Sequence, residues 1–257
     1  MTALKLTARQ VWYINKAFVR NPASLFFTLV FPLMFLVIFT VLFGNGHVPV
    51  GPGKTVRVAT FYVPAIAAFS VINACYTNIA MGLSLQRDSG VLKRIHGSPL
   101  PVGSYIAARI AHAVVIAIIL VAICAAFGGA FYGATLPQNT LGAFVLTLVV
   151  GATAFSAMGV AFTTVIPNSD AAPAVVNGTI LPLLFVSDIF IPLVNPPAWI
   201  DIFGKVFPIR HFADAMLGSF FQLNGSGIQT NDLLVIAAWG LAGVVVAVRF
   251  FDWEPRT

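Results

Sequence analysis

The sequence predicts an all-α integral membrane protein with six transmembrane helices, an N-terminal amphipathic interfacial helix and a re-entrant helical segment between the fifth and sixth spans. Of its 257 residues, 59% are hydrophobic and only 9% are charged, whereas soluble domains carry about 25% charged residues. A soluble core of this size could not bury so much apolar surface. Because a span needs about 20 apolar residues, roughly six fit into a single transmembrane domain covering residues 1–257.

Residues 1–22 are predicted to form an amphipathic helix in the plane of the lipid headgroups. Four basic residues fall within about 60° of one another at 100° per residue, beside an apolar face with a tryptophan at its border. This arrangement is typical of a helix at the membrane surface, and a solvated basic tail is the alternative. The residues assigned to this membrane-surface helix are Lys5, Arg9, Trp12, Lys16 and Arg20. The segment does not have the layout of a cleavable signal peptide.

Six apolar segments follow and are predicted to cross the membrane. Their internal prolines are tolerated because neighbouring helices can satisfy the carbonyl groups that a proline leaves free. The predicted spans cover residues 25–43, 58–85, 104–127, 140–166, 172–190 and 232–250. Residues 44–54, rich in glycine and proline, are predicted to form a loop after the first span. Cys75 and Cys124 lie inside spans and are interpreted as buried small hydrophobic residues.

Residues 191–229 are too interrupted by proline to span the membrane and too hydrophobic for an ordinary soluble loop. Irregular backbone is tolerated at membrane depth only where protein or water covers it. We therefore predict an external re-entrant segment of short helices here. Asp188, at the outer end of the fifth span, is a candidate partner of Arg210 or Lys205. Asp188 and Arg210 form a candidate external gate, and a water-exposed acid at the interface is the alternative interpretation of Asp188.

The distribution of lysine and arginine predicts that both chain termini are cytoplasmic. With the N-terminus inside, nine basic residues face the cytoplasm and four face outward, in agreement with the positive-inside rule. The inner residues are Lys5, Arg9, Lys16, Arg20, Arg87, Lys93, Arg94, Arg249 and Arg256, and the outer residues are Lys54, Arg57, Lys205 and Arg210. The net charge of +6 is thereby explained without nucleic acid as a partner. We expect a multi-pass protein of the plasma (inner) membrane of a bacterium, in contact with membrane lipid.

A short charged segment at residues 86–98 separates the second and third spans. It is predicted to form an amphipathic element that ends before Pro99 and Pro101, because proline interrupts helices. Its apolar residues could enter a groove on a partner while its charged residues pair at the rim of that groove. An ordinary positive-inside loop without a partner is the alternative. The candidate interface residues are Arg87, Asp88, Gly90, Leu92, Lys93 and Arg94.

This segment resembles the cytoplasmic loop in permease subunits of type-2 ABC exporters, the family of drug-resistance, lipid and polysaccharide exporters. The resemblance rests on the pattern R-x-x-G-x-L-K-R-x-x-x-x-P, followed by Tyr105 and Arg109. One departure is that many relatives carry Glu-rich sequence before the glycine, where this chain has Gln86 and Asp88. The resemblance implies that residues 86–98 are the coupling helix seated on a separate ABC ATPase subunit.

A second stretch, Phe185–Met216, is similar to the family's segment between the last two spans. A proline-rich break, a short helix with a tryptophan, and a proline followed by an aromatic-rich helix recur there. Both stretches in this order extend the resemblance over nearly the whole chain. The resemblance also implies that residues 1–22 are the elbow helix, and that two permease chains, identical or related, assemble with two ATPase subunits.

The function implied by the resemblance is that of a permease subunit of an ATP-driven exporter, which moves a hydrophobic or amphiphilic drug, lipid or glycan outward. ATP and magnesium are then expected in the partner subunit, and no cofactor is expected on this chain, which is not an enzyme. Residues 48–55, VPVGPGKT, mimic a phosphate-binding loop, but Val48 stands where that motif requires glycine.

Two other classes of function each require a recognisable sequence signature. An ion- or proton-coupled secondary transporter predicts acidic residues in mid-span or discontinuous helices in matching halves. A membrane-bound enzyme requires a reactive group of side chains such as paired metal ligands. The sequence shows neither signature. The exporter is therefore the preferred interpretation, and the secondary transporter and the membrane-bound enzyme are the alternatives.

Overall fold

A computed structural model describes residues 3–51, 53–192, 196–223 and 225–254. Arg256, counted above among the inward-facing residues, lies outside these ranges. The helices within them are α1 (Ala3–Val19), α2 (Pro22–Phe43), α3 (Val58–Asp88), α4 (Val91–His96), α5 (Val102–Tyr132), α6 (Gln138–Phe162), α7 (Ala172–Phe185), α8 (Ala198–Val206), α9 (Pro208–Phe220) and α10 (Thr230–Phe250). The strands are β1 (His47–Gly51) and β2 (Lys54–Arg57).

Five helices in the described ranges are long and apolar enough to cross a membrane: α2, α3, α5, α6 and α10. They coincide with the first four predicted spans and with the sixth. α3 is the central helix, because 89% of its most apolar window is buried, against 17% for α2 and for α10. Small residues of α3 such as Ala65, Ala68 and Ala80 are fully buried and let neighbouring helices approach closely. The fold is therefore a bundle around the second predicted span.

The helix at the fifth predicted span is shorter than expected, since α7 ends at Phe185 rather than at residue 190. Its 14 residues extend about 21 Å, which is less than the ~30 Å hydrocarbon core of a bilayer. The chain turns here because the Ser187 hydroxyl donates a hydrogen bond to the last helical turn and Asp188 has a left-handed φ of 59°. The following residues are still buried, and the Phe190 carbonyl accepts a hydrogen bond from the Tyr62 hydroxyl at 3.0 Å.

A β-hairpin begins in the loop predicted at residues 44–54 and ends at Arg57, in a protein that is otherwise mostly helical, as an all-α membrane protein should be. β1 and β2 pair antiparallel, with Val48 opposite Val56 and with Gly53 at a φ of 70° in the turn. The β-branched residues on both sides of this glycine explain the strands. The Lys54 ammonium, which occupies the lysine position of the phosphate-loop mimic, donates a hydrogen bond to the Phe221 carbonyl. It therefore joins the hairpin to the end of α9.

The segment between α7 and α10 forms two short helices, α8 and α9, within the described part of residues 191–229; residues 193–195 and 224 lie outside it. α9 is largely buried against α3, α6 and α10. The fully buried Phe212 ring lies 5.3 Å from the Phe155 ring and rests on Gly151 of α6. α9 thus enters the bundle as far as the middle of α6.

Gly151→Ala is expected to destabilise the protein, because a Cβ at this position would lie 2.1 Å from the Phe212 ring. Overpacking of this kind costs about 1–3 kcal/mol. The matched control is Gly142→Ala on the same helix, where an added Cβ meets nothing within 4 Å. It should be neutral or slightly stabilising, because alanine favours helix over glycine. The measurement is thermal unfolding in detergent. Unfolding is monitored by the reaction of a thiol-specific dye with Cys75 and Cys124, which are buried in the folded protein. Equal melting temperatures for the two variants would contradict the packing.

Candidate functional site

Arg87 lies in the last turn of α3 and is buried, with 2% of its surface exposed. Its Nη1 donates to the Thr163 carbonyl at 3.0 Å, and its Nη2 donates to the carbonyls of Ile166 at 2.8 Å and Pro167 at 3.2 Å. These carbonyls follow the C-terminal end of α6, where a positive charge is favourable. The planar guanidinium suits several acceptors at once. Arg87 therefore joins the end of α3 to the loop after α6.

Asp88 completes this connection. One carboxylate oxygen accepts a hydrogen bond from Arg87 Nε at 3.3 Å, and the other accepts one from the backbone N–H of Ser169. Arg87 and Asp88 were expected at the rim of a partner's groove. The structure differs for Arg87, because its two Nη groups donate to the chain's own loop and its Nε donates to Asp88. The charge pattern alone could not show this, since a buried arginine and a surface arginine look alike in sequence.

Gly90 and α4 form the part of the segment that reaches the surface. Gly90 has a left-handed φ of 71° and ends the tight turn between α3 and α4. A Cβ added at Gly90 would meet nothing within 4 Å, so the glycine is needed for its backbone conformation rather than for a close neighbour among the described residues. Leu92, expected to enter a partner, is fully buried in this chain. Lys93 and Arg94 are exposed, and Val91 beside them is 36% exposed.

The chain after α10 lies against α4, a contact that the sequence analysis did not predict. Lys93 forms an ion pair with Glu254 at 3.2 Å, and the His96 ring stacks on the Trp253 ring at 5.5 Å. Both members of the ion pair are more than 60% exposed, so it contributes little stability. The aromatic residues that close the sequence were the available signal for this contact. The exposed surface of α4 is thus bordered by the tail.

The membrane-surface helix α1 packs along α5 and has no fully buried residue. The Asn15 side chain lies 2.6 Å from His112 Nδ1 of α5, and the Phe18 ring meets the His112 ring edge-on at 5.4 Å. On the opposite face, the Lys16 ammonium lies 4.8 Å from the Trp12 ring. The assigned residues Lys5, Arg9, Trp12, Lys16 and Arg20 are all exposed. One face therefore binds the bundle, and the other presents cations and aromatic rings.

Arg210, near the start of α9, is the centre of a charge cluster, named the outer cluster because the sequence predicts these residues on the outer side of the membrane. The cluster consists of Asp188, Asp201, Arg210, His211, Asp214 and Asp232. Arg210 Nη2 lies 2.9 Å from an Asp201 oxygen, and Arg210 Nε lies 3.8 Å from Asp188 and 3.9 Å from Asp214. Asp188 and Arg210, the two residues of the candidate external gate, thus lie close together. The contacts of Asp201 and Asp214 were not foreseen, because their positions depend on how α8 and α9 fold back on the bundle.

The acids of the outer cluster differ in ionisation. The Lys205 ammonium hydrogen-bonded to Asp201, together with Arg210, lowers the pKa of Asp201. Partial burial and the neighbouring carboxylates of Asp188 and Asp232 raise the pKa of Asp214 to about 7. At neutral pH, Asp201 is therefore ionised, whereas a substantial fraction of Asp214 is protonated.

The outer cluster also connects α9 to α10. His211 Nδ1 lies 2.7 Å from an Asp232 oxygen, and His211 Nε2 lies 2.9 Å from the Lys205 carbonyl. Trp239 Nε1 of α10 donates to the Val206 carbonyl at 3.1 Å. Among the described residues, no group of three or more His, Cys, Asp or Glu side chains is arranged to hold a metal ion.

Residues 6–221 match the protein family described as ABC-2 type transporter. The chain is similar to the daunorubicin resistance ABC transporter permease protein DrrB1 of Streptomyces coeruleorubidus, with 26% identity over 227 residues, which cover 83% of this chain and 74% of the relative. It is also similar to the transport permease ycf38 of Porphyra purpurea, with 23% identity over 95% of this chain and 81% of the relative. The ycf38 protein of Cyanophora paradoxa is 26% identical over 84% of this chain and 78% of the relative.

Arg87→Met is expected to release the loop after α6, because three backbone carbonyls lose a charged donor. Leaving buried acceptors unsatisfied costs about 1–3 kcal/mol for each group. Arg87→Lys should recover only part of the loss, since one ammonium cannot reproduce the guanidinium fork. Limited proteolysis of residues 163–171 in purified protein measures the opening. The control is Lys93→Met, which also removes one positive charge but at an exposed position of α4. Equal cleavage of the Arg87→Met and Lys93→Met variants would contradict the role of Arg87.

Arg210→Met is expected to lower stability by about 3 kcal/mol, because it leaves nearby carboxylates without their cation in a largely buried site. The Arg210 side chain is 12% exposed, whereas Lys205, which pairs with Asp201, is 61% exposed. Lys205→Met should therefore cost less than about 1 kcal/mol. Thermal unfolding of both variants measures the difference. A loss no greater for Arg210→Met than for Lys205→Met would show that the cluster does not depend on Arg210.

Proposed function

Because this chain belongs to the ABC-2 type transporter family and is a permease subunit rather than an enzyme, we propose that it exports a hydrophobic or amphiphilic substrate with energy from ATP. ATP and magnesium are bound by a separate ABC ATPase subunit, and a second permease chain, identical or related, completes the path. The observation that carries the proposal is the exposed basic surface of α4. This surface is small and firmly joined to the bundle.

The connections of α4 support a mechanical role. A short turn at Gly90 joins α4 to α3, and Arg87 with Asp88 joins the same end of α3 to the loop after α6. Closure of the ATPase subunits would displace α4 and transmit the movement to α3 and α5, and also to α6 and the start of α7. ATP and substrate can exchange free energy only if each binds the two permease states with different affinity.

The proposed orientation places both termini, α1 and α4 on the cytoplasmic side of the plasma membrane of a bacterium. α1 serves as the elbow helix in the headgroup plane, where its exposed cations meet anionic lipid. α7 together with the buried chain up to Phe190 serves as the fifth of six spans, and α8 with α9 forms the external re-entrant segment. The excess of inward-facing lysine and arginine supports this arrangement.

Arg210 and Asp188 are proposed to hold the external gate. Asp188 follows α7, Arg210 lies on α9, and Asp201 lies on α8, so this cluster joins three consecutive elements at one end of the bundle. His211 and Asp232 extend the connection to α10. An outward movement of α9 would have to separate these ion pairs.

A hydrophobic substrate is supported by an apolar cavity of about 330 Å³ between α3, α6, α7, α9 and α10. Ligand pockets of drug-like molecules occupy about 300–1,000 Å³. The lining of this apolar cavity includes Phe155, Phe162, Leu183, Ile209 and Trp239. The relative DrrB1 is named for resistance to daunorubicin, which supports a drug-like amphiphile as one class of cargo.

Reversing the exposed charges of α4, with Lys93→Glu and Arg94→Glu together, is expected to weaken binding of the ATPase subunit at least about tenfold. The reason is that complementary charges at an interface are replaced by like charges. The measurements are the amount of ATP-hydrolysing subunit that co-purifies with the chain and ATP-driven transport in inside-out vesicles. Insertion into the membrane should be unchanged.

The matched control is Arg57→Glu, which reverses an exposed basic residue of the hairpin on the other side. It should leave ATPase binding and transport at the wild-type level. Unchanged ATPase binding and transport in the Lys93 and Arg94 double variant would refute the coupling role of α4. Transport driven by an ion gradient, with no ATP-hydrolysing protein in the purified complex, would instead identify a secondary transporter.

A further inference from the structure

A second cavity, of about 450 Å³, lies between α1, α2, α3 and α5, near the end of the bundle that carries α4. It is distinct from the apolar cavity described above, because its lining combines apolar and polar side chains. Phe27, Ile79 and Ile116 are among the apolar ones, and Ser24, Asn78 and Arg109 are among the polar ones. Such a mixed lining suits a ligand with a polar head and a hydrocarbon tail.

The Arg109 guanidinium is the only charged group among the described residues that line this cavity. Its Nε and Nη2 both donate to the Tyr105 hydroxyl at 3.2 Å. Its Nη1 lies 3.8 Å from the position of a Cβ on Gly82, so the glycine leaves open space beside the cation. Within the described residues, no carboxylate lies within 4.0 Å of Arg109. A cation without a counter-ion is costly inside a membrane protein.

Two irregular helix turns shape the same cavity. α2 contains a π-helical turn at Phe26–Val30, and α3 contains another at Asn73–Thr77. Both helices line the cavity at or next to these turns, where Asn78 Nδ2 lies 3.5 Å from Thr28 Oγ1. π-helical turns occur frequently at functional sites. Their meeting at one amphipathic cavity therefore points to a binding site.

The depth of Arg109 agrees with a lipid headgroup. Arg109 is seven residues beyond Val102, the first residue of α5, which corresponds to about 10 Å along the helix. On the orientation proposed above, this distance places the guanidinium at the boundary between headgroups and acyl chains of the inner leaflet. Phe18 of α1, the helix predicted to lie at the membrane surface, also lines the cavity.

We propose that this cavity binds an anionic phospholipid of the inner leaflet, with the lipid phosphate at Arg109 and an acyl chain along the apolar wall. Basic pockets between transmembrane helices on the cytoplasmic side are suited to anionic headgroups, and arginine binds phosphate by charge-assisted hydrogen bonds. The Tyr105 hydroxyl also donates to Gln86, which directly precedes Arg87. The bound lipid is therefore connected to the end of α3 that carries α4.

The test is a titration of the purified chain, in a neutral detergent, with dioctanoyl-phosphatidylglycerol, dioctanoyl-phosphatidylcholine or inorganic phosphate. Thermal unfolding is the readout, because a ligand that binds the folded state raises the melting temperature with its concentration. Phosphatidylglycerol should stabilise the wild-type chain saturably, and the other two should not. Arg109→Met should weaken phosphatidylglycerol binding roughly tenfold or more. Arg57→Met, the same change at an exposed position of the hairpin and outside the cavity, should bind like the wild type.

A second variant tests the cavity without removing a charge. Gly82→Leu fills the space beside the guanidinium and should abolish the stabilisation, whereas Gly103→Leu, where an added Cβ meets nothing within 4 Å, should not. Equal stabilisation by phosphatidylcholine, or by inorganic phosphate alone, would overturn the proposal, and so would wild-type binding by Gly82→Leu. The assay contains no ATP and no ATPase subunit, so its failure is separate from failure of the proposed transport function.

Discussion

The arrangement of the end of the bundle that carries α4 depends on one buried guanidinium. Arg87 is held at the end of the central helix by backbone carbonyl groups from the loop after α6. A buried cation is tolerated only when hydrogen-bonded acceptors replace its water, and here the chain's own loop supplies them. The position of α4 follows from this contact, since only Asp88, Ser89 and Gly90 separate Arg87 from its first residue. The exposed basic surface is therefore fixed relative to two helices rather than one.

The sequence was sufficient to predict the long helices, because a run of about 20 apolar residues has few alternatives in a bilayer. It was not sufficient for segments whose structure depends on contacts distant in the chain. Leu92 illustrates this limit: the pattern of a short amphipathic helix shows that an apolar residue will be buried, but not whether its own chain or a partner buries it. The fifth predicted span illustrates another limit, since the run of apolar residues continues to Phe190 although helix α7 ends at Phe185. The hairpin was missed because its strands are short and interrupted by glycine and proline.

The two ends of the bundle use charge differently. At the end that carries α4, Arg87 is surrounded by neutral carbonyl groups and a single carboxylate. Around α8 and α9, Arg210 is shared among several acids at unequal distances. The Arg210 cluster can be rearranged by small movements of α8 and α9, because one carboxylate can replace another. The proposed coupling role of the first site and the proposed gating role of the second therefore rest on different kinds of contact.

The short length of α7 has a consequence for the surrounding bilayer. α5 has 31 residues and α7 has 14, so their axial lengths are about 46 Å and 21 Å. Hydrophobic mismatch of this kind is relieved by tilting of the long helix and by local thinning of the lipid next to the short one, at a modest cost for each ångström. The protein therefore presents an uneven hydrophobic belt. Its conformational balance should respond to acyl-chain length, so that membrane thickness becomes a physical variable in its behaviour.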